Sequence, residues 1–267
     1  MKLLVIGGGN MGLTYAKGIH NAQLLGEEIM VLQRSEESIA RLKKEEPQFK
    51  VFGSAEECVP QADIIMVAVK PFHSEDLFKQ ILPFVKKDQL IISVMAGVKI
   101  STIQAGLGLD KIIRSMPNLP AMINKGMTTF TGSEQVSEKE LSIVEKLLSS
   151  TGEAINVKTE DDIDKTTGLS GSGSAYIFYF MEAMMEAAHE MGFEEEVAKA
   201  ITTQTFGGAV DLFKQKEETT SGWINKVCSK GGTTRAAIDT FENEDVKEKI
   251  KKGIFAAYNR AVELGNS

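Results

Sequence analysis

Leu3-Leu4-Val5-Ile6, a fully apolar run, passes directly into Gly7-Gly8-Gly9-Asn10-Met11-Gly12, and a helical pattern follows at Leu13, Ala16, Lys17, Ile19 and His20. No other feature constrains the fold as tightly. A buried strand that stops at G-x-G-x-x-G and opens a helix is the strand–turn–helix of a dinucleotide site, with the helix N-terminus facing a pyrophosphate. Gly7 permits the tight turn, Gly9 lets the backbone approach the phosphates with no Cβ in the way, and Gly12 lets the helix pack close to the strand. Asn10 and Met11 complete the cofactor-binding turn. A purely structural glycine turn is the alternative. The second apolar strand at Ile29-Met30-Val31-Leu32 favours nucleotide binding.

The tip of that second strand bears on which nucleotide. An NAD site usually ends this strand in Asp or Glu, which accepts from the ribose hydroxyls. Here Gln33-Arg34-Ser35 follows, and a guanidinium beside a hydroxyl suits a ribose 2′-phosphate, so NADPH is expected ahead of NADH. Ser35 also reads as the N-cap of the next helix, which would leave Arg34 free.

At 267 residues, with 42% hydrophobic and 25% charged residues, the chain has the make-up of a soluble globular protein with room for two domains. The net charge of −7 argues against non-specific nucleic-acid binding. No apolar run approaches a membrane span, and the four apolar residues after Lys2 are too short for a secretory signal, so a cytoplasmic protein is expected. Cys58 and Cys228 suggest no disulfide framework. His20, His73 and His189 are scattered and have no cysteine at ligand spacing, so no metal site is expected.

Short apolar strands alternate with amphipathic helices through the first half, as in a parallel sheet covered by helices. Strands are expected at 3–6, 29–32, 49–52, 64–69, 90–95, 111–114 and 126–131. Helices are expected after the glycine turn, at 36–45, near 56–57, and at 74–82, 100–107 and 137–150. The strand ends at Ala68–Pro71, Met95–Gly97 and Ser115–Pro120 should open on the same rim as Gly7–Gly12. From about Asp161 strand signals vanish. Ile177, Phe180, Met181, Met184, Met185 and Ala188 form an apolar helical stripe. Val197 to Phe213 and Val246 to Leu264 carry two more. Such stripes are core or subunit interface. The expected organisation is an α/β doubly wound parallel-sheet (Rossmann) domain over 1–158 and an all-α substrate and dimerisation domain over 159–267.

Within the helical half, Val227-Cys228-Ser229-Lys230-Gly231-Gly232-Thr233-Thr234-Arg235 is unusual for a bundle. Glycines and hydroxyls directly before a helix offer the amides of Gly232, Thr233 and Thr234 to an anion. A plain loop with a threonine N-cap is the competing explanation.

Taken together, the chain resembles pyrroline-5-carboxylate reductases over essentially its whole length. The matching blocks are Ile6–Gly12, Val67–Pro71, Ala96-Gly97, Arg114-Ser115-Met116-Pro117-Asn118, Thr167-Gly168-Leu169-Ser170-Gly171-Ser172-Gly173 and Gly231-Gly232-Thr233-Thr234. The resemblance implies hydride transfer from NAD(P)H to a cyclic imine, the last step of proline synthesis, in a homodimer or larger assembly interleaved through the helical domain. It places the substrate carboxylate on the amides of Gly232 and Thr233 and on Ser229, with Gly231 in the same turn and Thr234 facing the ring nitrogen. Lys226 and Glu160 are further candidate substrate contacts. The cofactor is expected along the backbone of Ala68, Val69, Lys70 and Pro71 and of Val94, Met95 and Ala96, with Asn118 near its nicotinamide end. Lys230 and Ser174 stand where the family commonly has proline, Leu119 where it has threonine, and Lys226 and Ala55 where it has asparagine. Two other functions fit a chain of this plan. A related imine, keto-acid or hydroxy-acid reductase would need a lysine or histidine acid, for which Lys165 and Lys226 are the candidates. A nucleotide-binding protein without turnover would need neither.

Overall fold

The computed structural model describes residues 1–26 and 28–266. The chain divides into two compact units, Met1–Ser172 together with the segment from Ala256 onward, and Gly173–Phe255.

The first unit alternates strand and helix: β1 (Leu3–Ile6), α1 (Asn10–Asn21), β2 (Met30–Leu32), α2 (Glu36–Glu45), β3 (Lys50–Phe52), α3 (Ala55–Cys58), β4 (Ile64–Val67), α4 (Ser74–Ile81), β5 (Leu90–Ser93), α5 (Ile100–Leu107) and β6 (Ile112–Met116). It continues with β7 (Gly126–Gly132), α6 (Glu138–Leu148), β8 (Gly152–Asn156) and α7 (Glu160–Thr166), and then a π-helical turn, Thr167–Gly171. The sheet order is β3-β2-β1-β4-β5-β6-β7-β8. Strands β1 to β6 run parallel to one another, so their carboxyl ends share one rim. The order reverses between β1 and β4, which is where doubly wound sheets open a crevice for ligands.

Burial on both faces explains why β1 and β4 read as unbroken apolar runs. Leu4, Ile6, Ile65 and Val67 pack to one side with Leu77, Phe78 and Ile81 of α4 and Ile103 and Leu107 of α5. Leu3, Val5, Ile64 and Met66 pack to the other side with Tyr15 and Ile19 of α1 and Val144, Leu147 and Leu148 of α6. Adjacent residues thus serve opposite faces, as the pleat requires.

Two features depart from the sequence expectation. The sheet is not wholly parallel: β7 runs antiparallel to β6, because the connection from Met116 to Gly126 is too short for the crossover a parallel neighbour needs. A further strand, β8, pairs parallel with β7 where none was expected. The compact units divide after Ser172. Helix α7 stays with the sheet, since Arg114 of β6 bonds its Glu160 and Asp164, and Thr129 of β7 meets Thr166 hydroxyl to hydroxyl at 2.6 Å.

The second unit holds α8 (Gly173–Glu190), α9 (Glu195–Gln215), α10 (Thr220–Val227) and α11 (Thr233–Asn243). It also holds the start of α12 (Val246–Asn266), whose later turns belong to the first unit. A hairpin joins α8 to α9 around Gly192 at φ +90°, where Phe193 N–H donates to Ala188 and closes the helix end. The apolar stripes are not buried within one copy of the chain. No residue of α8 is buried, and Ile177, Phe178 and Met184 are exposed, as are Val197, Ile201 and Phe213 of α9. Among the described residues no helix is long and apolar enough to cross a membrane.

Candidate active site

The glycine turn has the geometry its spacing predicts. Gly7 sits at φ +99°, and a Cβ there would lie 2.7 Å from the Ala68 carbonyl oxygen and 3.0 Å from its carbon. Its N–H donates to Leu32 at 3.1 Å, tying the end of β1 to β2. A Cβ on Gly12 would overlap the Gly7 carbonyl, so the first turn of α1 can lie against β1 only with glycine there. Gly9 is the N-cap of α1 in extended conformation, and a Cβ on it would meet nothing within 4 Å. The first turn of α1 has no acidic residue to oppose an anion.

Around this turn the rim is made largely of backbone. Ala68 N–H still bonds Ile6 at 2.8 Å as β4 ends, and Val94 N–H bonds Val67 at 3.1 Å. The strands therefore stop earlier than expected, at Val67 and Ser93, and Ala68 to Pro71 and Val94 to Ala96 form the turns beyond them. Met95 is buried, so that residue can offer a ligand only its backbone, while Val94 and Ala96 on either side are half-buried. Lys70 precedes a short 3₁₀ turn at Pro71–His73, its carbonyl accepting from His73 N–H. Beyond β6, Asn118 accepts from Met127 N–H at 2.9 Å through Oδ1 and donates to Ser170 Oγ at 3.2 Å through Nδ2. Ser170 has no role in the sequence reading. It lies in the glycine–serine block quoted there, but the block gives no hint of its partner.

At the tip of β2, Ser35 caps α2: its Oγ accepts from Ser38 N–H at 3.3 Å and donates to Ser38 Oγ at 2.8 Å. Arg34 is exposed and has no ion-pair partner among the described residues. The hydroxyl is thus committed to the helix, and the guanidinium is the group left to meet a ligand. Ala55, where an asparagine was noted as common, is buried.

Two candidate substrate contacts are engaged elsewhere. Glu160 Oε1 accepts from Ile100 N–H at 2.9 Å, capping α5, and from Arg114 at 3.2 Å. Arg114 is 1% exposed, and Asp164 takes its other terminal nitrogen. A buried guanidinium needs these carboxylates, which gives Glu160 a structural task. Lys226 pairs with Glu218 at 2.6 Å and lies over the Trp223 ring at 4.7 Å, so its charge is already balanced. Lys165, a candidate acid for a rival reductase, is held by Asp161 and Asp162, and its pKa is pushed up to about 12. A lysine so placed is a poor proton donor near neutrality.

The segment before α11 forms a tight turn. Gly232 N–H donates to the Ser229 carbonyl at 3.0 Å, and Gly231 stands at φ +70° in the third position, the signature of a type II turn. Lys230 occupies the second position, which favours proline and explains why proline is common there. The N-cap of α11 is Gly232, not a threonine, and no side chain caps it. This corrects one expectation: the Gly232 amide is used within the turn, while those of Thr233 and Thr234 have no acceptor among the described residues. Ser229, Gly231, Gly232, Thr233 and Thr234 thus form one continuous turn and helix start.

Comparison with known proteins accords with both halves of this description. Residues 2–97 match the family described as NADP oxidoreductase coenzyme F420-dependent, and residues 160–264 match that described as pyrroline-5-carboxylate reductase dimerisation. The pyrroline-5-carboxylate reductase of Escherichia coli K12 is 34% identical over 270 aligned residues, covering 100% of this chain and 99% of that protein. A crystal structure of Plasmodium falciparum pyrroline carboxylate reductase with NADP bound superposes with a TM-score of 0.89 at 27% identity, over 99% of this chain and 98% of that one. The pyrroline-5-carboxylate reductase structure from Coxiella burnetii gives 0.87 at 34% identity, again over 99% and 98%. A glycine turn at the switch point of the sheet, a glycine–threonine helix start in an all-α unit and relatives aligned from end to end lead to one conclusion: the chain belongs to the pyrroline-5-carboxylate reductase family.

Proposed function

We propose that this protein reduces 1-pyrroline-5-carboxylate to proline with a nicotinamide dinucleotide, NADPH ahead of NADH. The observation that carries the proposal is the Gly7–Gly12 turn at the β1/β4 switch point, in a chain aligned throughout with reductases of that name. The bound cofactor supplies a hydride, and the protein's part is to hold two partners in register. The N-terminus of α1 takes the pyrophosphate, and the free Arg34 guanidinium takes the 2′-phosphate. The amides of Thr233 and Thr234 and the Ser229 hydroxyl take the substrate carboxylate. A protonated ring imine is already electrophilic, so a strong acid is unnecessary, and the Thr234 hydroxyl suffices to orient the nitrogen.

The test compares NADPH oxidation with pyrroline-5-carboxylate, with an open-chain 2-keto acid and with no substrate. Turnover confined to the imine is the expected result. Keto-acid turnover would favour a related reductase, and none with either substrate would favour nucleotide binding alone.

The exposed stripes of α8 and α9 support a homodimer built on the helical unit. Light scattering at sub-micromolar concentration should show a dimer or larger, and a folded, active monomer would overturn this part.

A further inference from the structure

The π-helical turn Thr167–Gly171 interrupts the regular helical backbone between α7 and α8, and it is tightly built in. Ser172 N–H reaches back five residues to the Thr167 carbonyl at 2.9 Å, closing the wide turn. The Thr166 and Thr167 hydroxyls both donate to the Ile163 carbonyl, at 3.1 and 2.7 Å. At Gly168 a Cβ would lie 2.7 Å from the backbone nitrogen of Tyr258 in α12, so the turn is pressed directly on that helix. Such an insertion widens the helix by one residue and redirects the side chains after it, and it recurs at functional sites.

The redirected side chain is Ser170, and it meets Asn118 at the carboxyl rim. Asn118 has one carbonyl oxygen and two N–H donors. Its oxygen is taken by Met127 N–H and one N–H by Ser170 Oγ, so both ends of the carboxamide are assigned. The remaining N–H is the only donor left on that side chain, and its direction is fixed. It stands beyond β6, on the rim shared with the dinucleotide turn. Ser170 itself is half-buried.

We infer that Ser170 is a positioning residue for hydride transfer. Presented by the π turn, it anchors the Asn118 carboxamide so that the free N–H meets an acceptor on the reactive end of the dinucleotide, such as the carboxamide oxygen of the ring. This rests on the reductase reading above. Ser170 acts through Asn118 and does not itself touch the reacting atoms.

A double-mutant cycle tests it. Ser170→Ala, Asn118→Ala and the double variant are compared with the unaltered enzyme for kcat, KM for the imine and thermal midpoint. The isotope effect with NADPH deuterated at the transferred position and the emission of bound NADPH are measured alongside. Ser170→Ala should lower kcat about three- to tenfold, the scale of one neutral hydrogen bond. It should raise the isotope effect and leave KM and the midpoint nearly unchanged, and Ser170→Thr should restore kcat. The double variant should be no slower than Asn118→Ala alone. Multiplicative losses, or a fall in midpoint that tracks the fall in rate, would overturn the inference. If the unaltered enzyme did not reduce the imine, the functional reading would fail first. The emission of bound NADPH would then decide this one: a shift in both single variants, not increased in the double, is expected, and no shift overturns it.

Discussion

Substituting Gly7 and Gly9 one at a time should separate what the dinucleotide turn needs in order to fold from what it needs in order to bind. Alanine at Gly7 would have to adopt φ +99° and place its Cβ 2.7 Å from a backbone oxygen and 3.0 Å from a backbone carbon of Ala68. Neither atom is the end of a flexible side chain, so β4 or the turn must move. Strain of about 1–3 kcal/mol for the dihedral and a similar amount for overpacking give a cost of about 2–6 kcal/mol. At about 2–4 °C per kcal/mol for a unit of this size, the midpoint should fall by roughly 4–24 °C. Alanine at Gly9 has an ordinary φ of −78° and meets no atom within 4 Å. Its cost is the weaker N-cap, at most about 1 kcal/mol. The same methyl stands where a phosphate must approach the helix amides. Losing a charge-assisted hydrogen bond worth about 1.5–3 kcal/mol weakens NADPH binding roughly ten- to hundredfold. Circular dichroism melts without nucleotide and fluorescence titration with NADPH measure the two effects. Gly9→Ala binding NADPH as tightly as the unaltered protein, or Gly7→Ala melting alongside it, would refute the assignment.

Other predictions follow from single side chains. Arg34→Ala should raise KM for NADPH roughly ten- to hundredfold and barely change that for NADH, and equal losses with both would make Arg34 structural. Thr234→Ala should reduce turnover about three- to tenfold. Because Gly232 is the N-cap of α11, the melting midpoint should hold, and a parallel fall in both would point to a merely structural threonine. Burial alone would raise the Glu140 pKa, but hydrogen bonds from Lys111 and Ser137 outweigh it and bring it from 4.5 down to about 2. Its stabilisation is therefore complete above about pH 4.5 and lost as pH falls toward 2. Glu140→Gln should lower stability at neutral pH and flatten its acid dependence over that window, as followed by denaturant unfolding at a series of pH values.

What the sequence made legible was whatever rests on near neighbours. Helix α2 was bounded correctly at both ends because Ser35 caps it locally and Pro47 lies just beyond. The Ser137–Glu140 capping box was visible for the same reason, since both partners lie within one turn. Strand β8 was not visible: it is largely exposed, lacks a clear alternation and opens on Gly152, whose place in the sheet is set by Gly126 on another strand. Nor could the direction of β7 be seen, since an apolar segment has the same pattern either way round. In the site, the glycine turn was legible through its spacing: Gly12 answers a steric demand of Gly7, five residues away, although what confines Gly7 itself is Ala68, distant in sequence. The role of Glu160 was hidden because its partner, Arg114, lies on a strand distant in sequence. The ion pair of Lys226 was hidden because Glu218 and Trp223 become its neighbours only once α10 forms.

Helix α12 crosses from one compact unit to the other, and this has a consequence for how the protein is made. Its later turns are folded with the first unit, where Tyr258 N lies against Gly168 and Leu264 against Gly97. Gly97 follows β5, next to the rim. On the ribosome the sheet can assemble early, but two of its loops keep an uncovered surface until α12 has emerged, after the whole helical unit has been synthesised. Contacts between residues so far apart in the chain form late and slow the final step of folding. Most of the first unit thus precedes the helical unit in the chain, yet it is finished by a helix that follows that unit. While it waits it remains open to chaperones and to nucleotide itself, and a partner that binds only the completed rim would favour the finished state by mass action.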